Sequence, residues 1–97
     1  MTVDQFEDET FRPLLNQAFT FTAAPDHRIE VTLISITGSP HQGNGRRQFS
    51  LIFRGPQNPV WRQRIYQVEN DTLGTFELFL CPVARSDKGT DYEAVFA

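Results

Sequence analysis

Cysteine is nearly missing from this chain of 97 residues: Cys81 stands alone, so no intramolecular disulfide can form and a disulfide-stapled secreted scaffold is excluded. A reducing, cytoplasmic setting is the expectation. Histidine is scarce too, with only His27 and His41, and no Cys-x-x-Cys or His-x-x-x-His spacing occurs, so a structural metal site is not expected. No run approaches the roughly 20 apolar residues that span a bilayer. The first ten residues carry four acids and no base, the reverse of a secretory or mitochondrial leader. The Asn70-Asp71-Thr72 sequon is common by chance and carries no weight.

What is present is aromatic. Nine Phe, two Tyr and one Trp sit in a chain that is 39% hydrophobic and 22% charged, close to the globular balance. Each buried ring removes roughly 150–250 Å² from water, so a few rings can anchor the single core that this length allows. The expectation is one domain over residues 1–97.

The net charge of −3 is unevenly spread. Residues 1–30 hold six acids against Arg12 and Arg28, and residues 69–97 hold six against Arg85 and Lys88. The middle, 31–68, has no acid and five arginines: Arg46, Arg47, Arg54, Arg62 and Arg64. This pattern reads first as charge complementarity between neighbouring strands.

Helical signals are confined to the start. Thr2 and Gln5 make a weak capping box for a short helix bearing Val3 and Phe6. A second turn is expected over Phe11 to Leu15, with Thr10 as N-cap, Pro13 tolerated in the first turn, and Asn16 closing it in the left-handed conformation. From Phe19 the period becomes two. Phe19 and Phe21 mark a first strand, Ala24-Pro25-Asp26 a turn, and Arg28 to Thr37 a second strand. Its apolar phase slips between Leu33 and Ile34, which predicts a bulge, a bend or a strand buried on both faces.

Gly38 to Gly45 reads as a loop, and Gln48 to Arg54 as a third strand stopped by Gly55-Pro56. Gln57 to Trp61 looks irregular before a fourth strand, Arg64 to Glu69. Leu73-Gly74 turns the chain into Thr75 to Cys81, whose Phe76, Leu78 and Leu80 oppose Glu77, Phe79 and Cys81. Pro82 ends its regular pairing or marks an edge. After the Ser86 to Gly89 turn, Tyr92, Ala94 and Phe96 alternate in a last strand. Six short strands on hairpin-length loops exclude a parallel sheet. They favour a mainly β fold: an antiparallel up-and-down meander curled into a small barrel or β-roll, with the N-terminal helix plugging an end or covering an edge.

No catalytic constellation assembles from these residues. Cys81, within an apolar strand, reads as a packed hydrophobe rather than an activated thiolate. Ser39 and His41 share a loop with no orienting carboxylate. Glu77 and Glu93 would be cross-strand neighbours if the last two strands pair, and as outer-face glutamates they are expected to face arginines of the middle segment. Gly43-Asn44-Gly45-Arg46-Arg47 lacks the lysine and following helix of a phosphate loop. No catalytic, cofactor or metal residue is assigned.

The best functional candidate is the arginine and aromatic segment Arg54, Trp61, Arg62, Arg64 and Tyr66. Trp, Tyr and Arg are enriched at interface anchors, so these residues mark a candidate protein-interaction surface, with the partner unidentified. The alternative is a barrel that binds single-stranded nucleic acid on exposed rings, against which the pI near 5.2 argues. A third reading makes Trp61 a closure of the barrel.

At Phe11-Arg12-Pro13-Leu14-Leu15, Phe49-Ser50-Leu51-Ile52-Phe53-Arg54-Gly55-Pro56, Leu73-Gly74, Phe79-Leu80-Cys81-Pro82-Val83 and Tyr92-Glu93-Ala94-Val95-Phe96, the chain resembles a family of small uncharacterised bacterial proteins. The resemblance spans nearly the whole length. Family members often carry glycine at position 16 and valine at position 81, where this chain has Asn16 and Cys81, which implies a dispensable thiol. Through its gene neighbours the resemblance implies an accessory role beside phage tail-collar-like proteins, and it supplies no catalytic residue. The sequence therefore points to a non-enzymatic structural or protein-interaction module.

Overall fold

The computed structural model describes residues 8–38 and 49–96. The expected helical start at Thr2 and Gln5, and the loop carrying His41, Arg46 and Arg47, lie outside the described residues. A short helix, α1 (Asp8–Phe11), leads into a 3-10 turn (Arg12–Leu14), followed by β1 (Ala18–Ala24), β2 (His27–Gly38), β3 (Phe49–Gly55), β4 (Arg64–Asn70), β5 (Gly74–Ser86) and β6 (Gly89–Phe96). All pairings are antiparallel and the six strands close into a barrel.

The order around the barrel is β1-β2-β3-β6-β5-β4, which adds a feature the strand pattern does not carry. Two three-stranded meanders, β1-β2-β3 and β4-β5-β6, stand side by side. β3 pairs with β6 and β1 with β4, so the segment 56–63 must cross one end of the barrel to join β3 to β4. That end also carries the β1–β2 and β5–β6 turns. Local hydrophobic alternation is the same in both strand orders, because each strand presents one buried face in either.

Alternation places Phe19, Phe21 and Ala23 of β1 and Phe49, Leu51 and Phe53 of β3 inside. In β2 the phase slip is a bulge: Leu33 pairs with Phe53 but Ser35 with Ile52, leaving Ile34 as the extra residue. Ile29, Val31 and Leu33 are buried before it, and Ile36, in register with Leu51, packs on the core after it. β5 continues past Pro82 to Ser86, with a second irregularity between Pro82 and Ala84. Pro82 is tolerated because the β4 ladder ends at Arg64–Leu80, so the proline stands where β5 has no β4 neighbour.

The core is a stack of rings. Phe53 meets Phe19 and Phe21 edge-on at centroid distances of 5.1 and 5.4 Å, and Phe21 lies 6.0 Å from Tyr66 and 5.9 Å from Tyr92. At the opposite end from the crossover, Phe11 is fully buried against Phe49, Phe76 and Phe96, with Phe49 and Phe96 stacked at 4.4 Å. The N-terminal helical segment thus plugs that end, as expected. Pro13 occupies the first turn of the 3-10 segment. Thr10 lies inside α1, and the position before the 3-10 turn belongs to Phe11, which makes no side-chain cap. Asn16 adopts φ 70°, and its N–H donates to the Leu33 carbonyl at 2.7 Å.

Candidate functional site

The five candidate residues are brought to the crossover end of the barrel, but they do different things there. Arg54 stands opposite Asp91 in the β3–β6 ladder. Its Nε donates to Oδ1 at 2.7 Å and its Nη2 to Oδ2 at 3.0 Å, the bidentate fork that a planar guanidinium offers a carboxylate. The hydrogen bond to Asp91 raises the guanidinium pKa above the ordinary arginine value, against a desolvation that lowers it. The charge of Arg54 is therefore answered within the barrel wall. Arg54–Asp91 thus joins the arginine-bearing middle to the acidic C-terminal part on neighbouring strands, as the charge pattern suggests, whereas the second ion pair, Arg28–Glu69, links β2 to β4 across β1 and joins the two acidic flanks.

Tyr66 is not a surface residue. It is 2% exposed inside the barrel, and burial raises its pKa, with Arg64 and Arg62 pulling the other way and Tyr92 adding to the rise. Its hydroxyl donates to the Arg62 carbonyl at 2.6 Å. The reason for the correction is parity: Tyr66 shares the inward phase of Val68 and Asn70. Tyr92, buried on β6, reaches the same segment from its other side and accepts the Trp61 N–H at 3.0 Å. Two interior phenols thus pin adjacent residues of the crossover from beneath.

Further ties hold the crossover from its start. Buried Thr90 donates its hydroxyl to the Gln57 carbonyl at 3.1 Å, Gln57 Nε2 donates to the Ser86 carbonyl at 2.9 Å, and Arg85 is hydrogen-bonded to Asn58. Trp61 is half-buried against the core, and its ring meets His27 edge-on at 4.9 Å. Of the readings the sequence left open, barrel closure describes the position of Trp61. Arg62 and Arg64 remain exposed, with the Arg64 guanidinium 5.2 Å from the centre of the Tyr66 ring.

Cys81 is half-buried on the outer face, not packed in the core: Leu80 takes the inward position, and Sγ contacts Gln63 Oε1 at 3.4 Å. Glu77 pairs with Gln67, and Glu93 with Cys81 and Ile52, so the two glutamates are not opposite one another and neither faces an arginine in the ladder. The expected carboxylate neighbourhood is not formed, because the β5–β6 ladder begins at Cys81, four positions beyond Glu77. Among the described residues no three His, Cys, Asp or Glu side chains gather as metal ligands, and no helix is long and apolar enough to cross a membrane. A polar groove of about 380 Å³ over β1, β2 and β4 is lined in part by Thr20, Arg28, Glu30, Glu69 and Asn70.

Among the described residues, strand alternation also sets large apolar side chains on the outer face. Ile65 and Phe79 stand directly opposite each other in the β4–β5 ladder, and both point outward, 59% and 56% exposed. Val95 on β6 is 67% exposed. The signal was Phe79 itself, a large aromatic on the strand face that carries Glu77.

A closed six-stranded antiparallel barrel, plugged at one end by a helical turn and spanned at the other by a tyrosine-tied crossover, defines a small β-barrel domain. The chain belongs to the family described as domain of unknown function DUF6916, whose model matches residues 6–96. No curated protein and no solved structure matches it.

Proposed function

We propose that this domain is a non-enzymatic protein-interaction or structural module, working through its outer β4–β5–β6 face. The observation that carries the reading is the Ile65–Phe79 pair, two large apolar side chains opposite each other and more than half exposed. Contiguous exposed apolar surface of this kind, rimmed by polar residues, is what protein interfaces use. The sequence points to Arg54, Trp61, Arg62, Arg64 and Tyr66 as the candidate surface. With Arg54 paired, Tyr66 buried and Trp61 closing the barrel, Arg62 and Arg64 are the members left to contribute a charged rim.

The tail-collar association implied by the family resemblance names the first partners to try, as an accessory role in a tail-derived assembly. Single-strand nucleic-acid binding would need open rings for stacking, and the two candidate rings are engaged inside the barrel or against His27.

The test is co-purification and size exclusion of the tagged domain with the products of neighbouring genes. A complex that is weakened by Phe79→Glu, with the circular dichroism spectrum unchanged, supports the reading. A domain that is inert toward every neighbour, or whose complexes ignore the Phe79 change, sinks it.

A further inference from the structure

The six seams of the barrel are unequal. Five are ladders of five to seven paired residues, and β1–β4 has three: Thr20 with Glu69, Phe21 with Val68 and Thr22 with Gln67. The shortness has a local cause. In β1, Thr22 pairs with Arg28 but Ala24 with His27, which leaves Ala23 as a bulge residue, and a bulge bends its strand. β1 parts from β4 there, and no β1 residue is paired with Arg64, Ile65 or Tyr66.

Side chains supplement the short ladder. Phe21 lies against Tyr66 and Tyr92, Asn70 Nδ2 donates to the Ala18 carbonyl at 3.2 Å, and the Trp61 ring meets His27 beside the parted strands. Arg28 reaches over β1 to Glu69, a pair screened by solvent. The seam on the opposite side of the barrel is built differently. β3 and β6 pair over seven residues, with the Arg54–Asp91 fork across them and Phe49 stacked on Phe96. The plug sets Phe11 on those same two rings and on Phe76 of β5.

The crossover sides with the second meander. Its hydrogen-bond partners Tyr66, Arg85, Ser86, Thr90 and Tyr92 all belong to β4, β5 or β6, whereas Trp61 touches His27 of the first meander by ring contact. Within the first meander Phe53 keeps Phe19 and Phe21. We propose that β1–β4 is the gate of the barrel: the two meanders part there and turn about β3–β6, with the crossover carried on the second meander and Trp61 lifted from His27. Local opening runs through the least-bonded part of a fold. Each meander keeps its own ladders in this motion, and the freed edges of β1 and β4 are of the kind an added strand pairs with. The gate is independent of the outer Ile65–Phe79 face.

Native-state hydrogen exchange on the full chain, read residue by residue by NMR, tests the gate. Amides bonded across β1–β4 should exchange at least about tenfold faster than those bonded across β3–β6. Asp91→Asn weakens a pair that gate opening leaves intact, so it should speed the β3–β6 amides and leave the β1–β4 amides unchanged. Glu69→Gln removes a pair that is broken both in the open gate and in the unfolded chain, so it should speed both sets by the same factor. Equal rates for the two sets in the wild type overturn the inference. So does an Asp91→Asn chain in which both sets speed up equally, since β1–β4 would then open only by global unfolding, or a Glu69→Gln chain in which one set alone responds.

Discussion

Gly89 and Gly74 both open strands after tight turns, yet replacing them with alanine should have very different consequences. Gly74 has φ +82°, and a Cβ added there would meet nothing within 4 Å, so Gly74→Ala carries only the strain of a left-handed L-residue, about 1 kcal/mol. Gly89 has φ +140°, and its Cβ would be driven into the Gly55 carbonyl oxygen, with Arg54 Cγ at 3.1 Å and the Gly55 carbonyl carbon at 3.4 Å. The obstacle is backbone at the end of β3, which cannot rotate away. Strain of about 1–2 kcal/mol and overpacking of about 1–3 kcal/mol together give a loss of about 2–5 kcal/mol. A domain of this size has roughly 5–15 kcal/mol in total. At about 4–8 °C per kcal/mol, Gly89→Ala should lower Tm by roughly 8–40 °C, while Gly74→Ala lowers it by about 4–8 °C. Thermal and urea unfolding followed by circular dichroism measure both. Equal losses in the two variants would refute the claim that close approach of β6 to Gly55, rather than turn strain alone, makes Gly89 necessary.

Removing the Tyr92 hydroxyl in Tyr92→Phe leaves the Trp61 N–H without its acceptor, which should cost about 1–2 kcal/mol and shift the emission of the single Trp to longer wavelength as the crossover loosens. Asn70→Ala removes the acceptor of the Thr72 and Leu73 N–H groups and the donor to the Ala18 carbonyl, for a loss of about 1–3 kcal/mol, and Asn70→Asp should lose less because it keeps the turn acceptor. Chemical denaturation of the two variants side by side checks this order. Tyr66 is held neutral by burial, and its folded pKa lies above the ordinary 10.0. Between the two values the unfolded chain has released the proton and the folded one has kept it. The contribution is therefore complete below the unfolded value and lost as pH rises through the folded one. Urea midpoints measured across that alkaline range should fall more steeply for the wild type than for Tyr66→Phe.

The strands were readable because each buries one face, and alternation reports that face directly: Phe19 and Phe21, Phe49 to Phe53, Phe76 to Leu80. The bulge was readable for the same reason, since an extra residue shifts the phase at Leu33 and Ile34. Strand order was not, because pairing β3 with β6 instead of β4 alters no strand's pattern. The roles of Asn70 and Thr90 were equally hidden, since each depends on a main-chain atom of a residue far away in sequence, the Ala18 carbonyl and the Gln57 carbonyl.

The same distinction explains where the site reading succeeded and where it moved. Arginine and aromatic residues between 54 and 66 are close in sequence because they flank one connection, and that connection closes the barrel. A segment crossing an open end has to satisfy its own backbone there, and Tyr66, Tyr92 and Thr90 supply partners from within. Once the rings and hydroxyls are committed to that closure, they are unavailable to a ligand. The surface left over begins where the closure enters β4: on the outward side of β4 and its neighbour β5, Ile65 and Phe79 stand exposed, next to the two arginines that the closure leaves in solvent. Aromatic content in this chain thus has two separate meanings, and parity divides them. Rings in phase with the core, Tyr66 and Tyr92, hold the crossover down, and the one ring of β5 out of phase with the core, Phe79, stands exposed on the outer face.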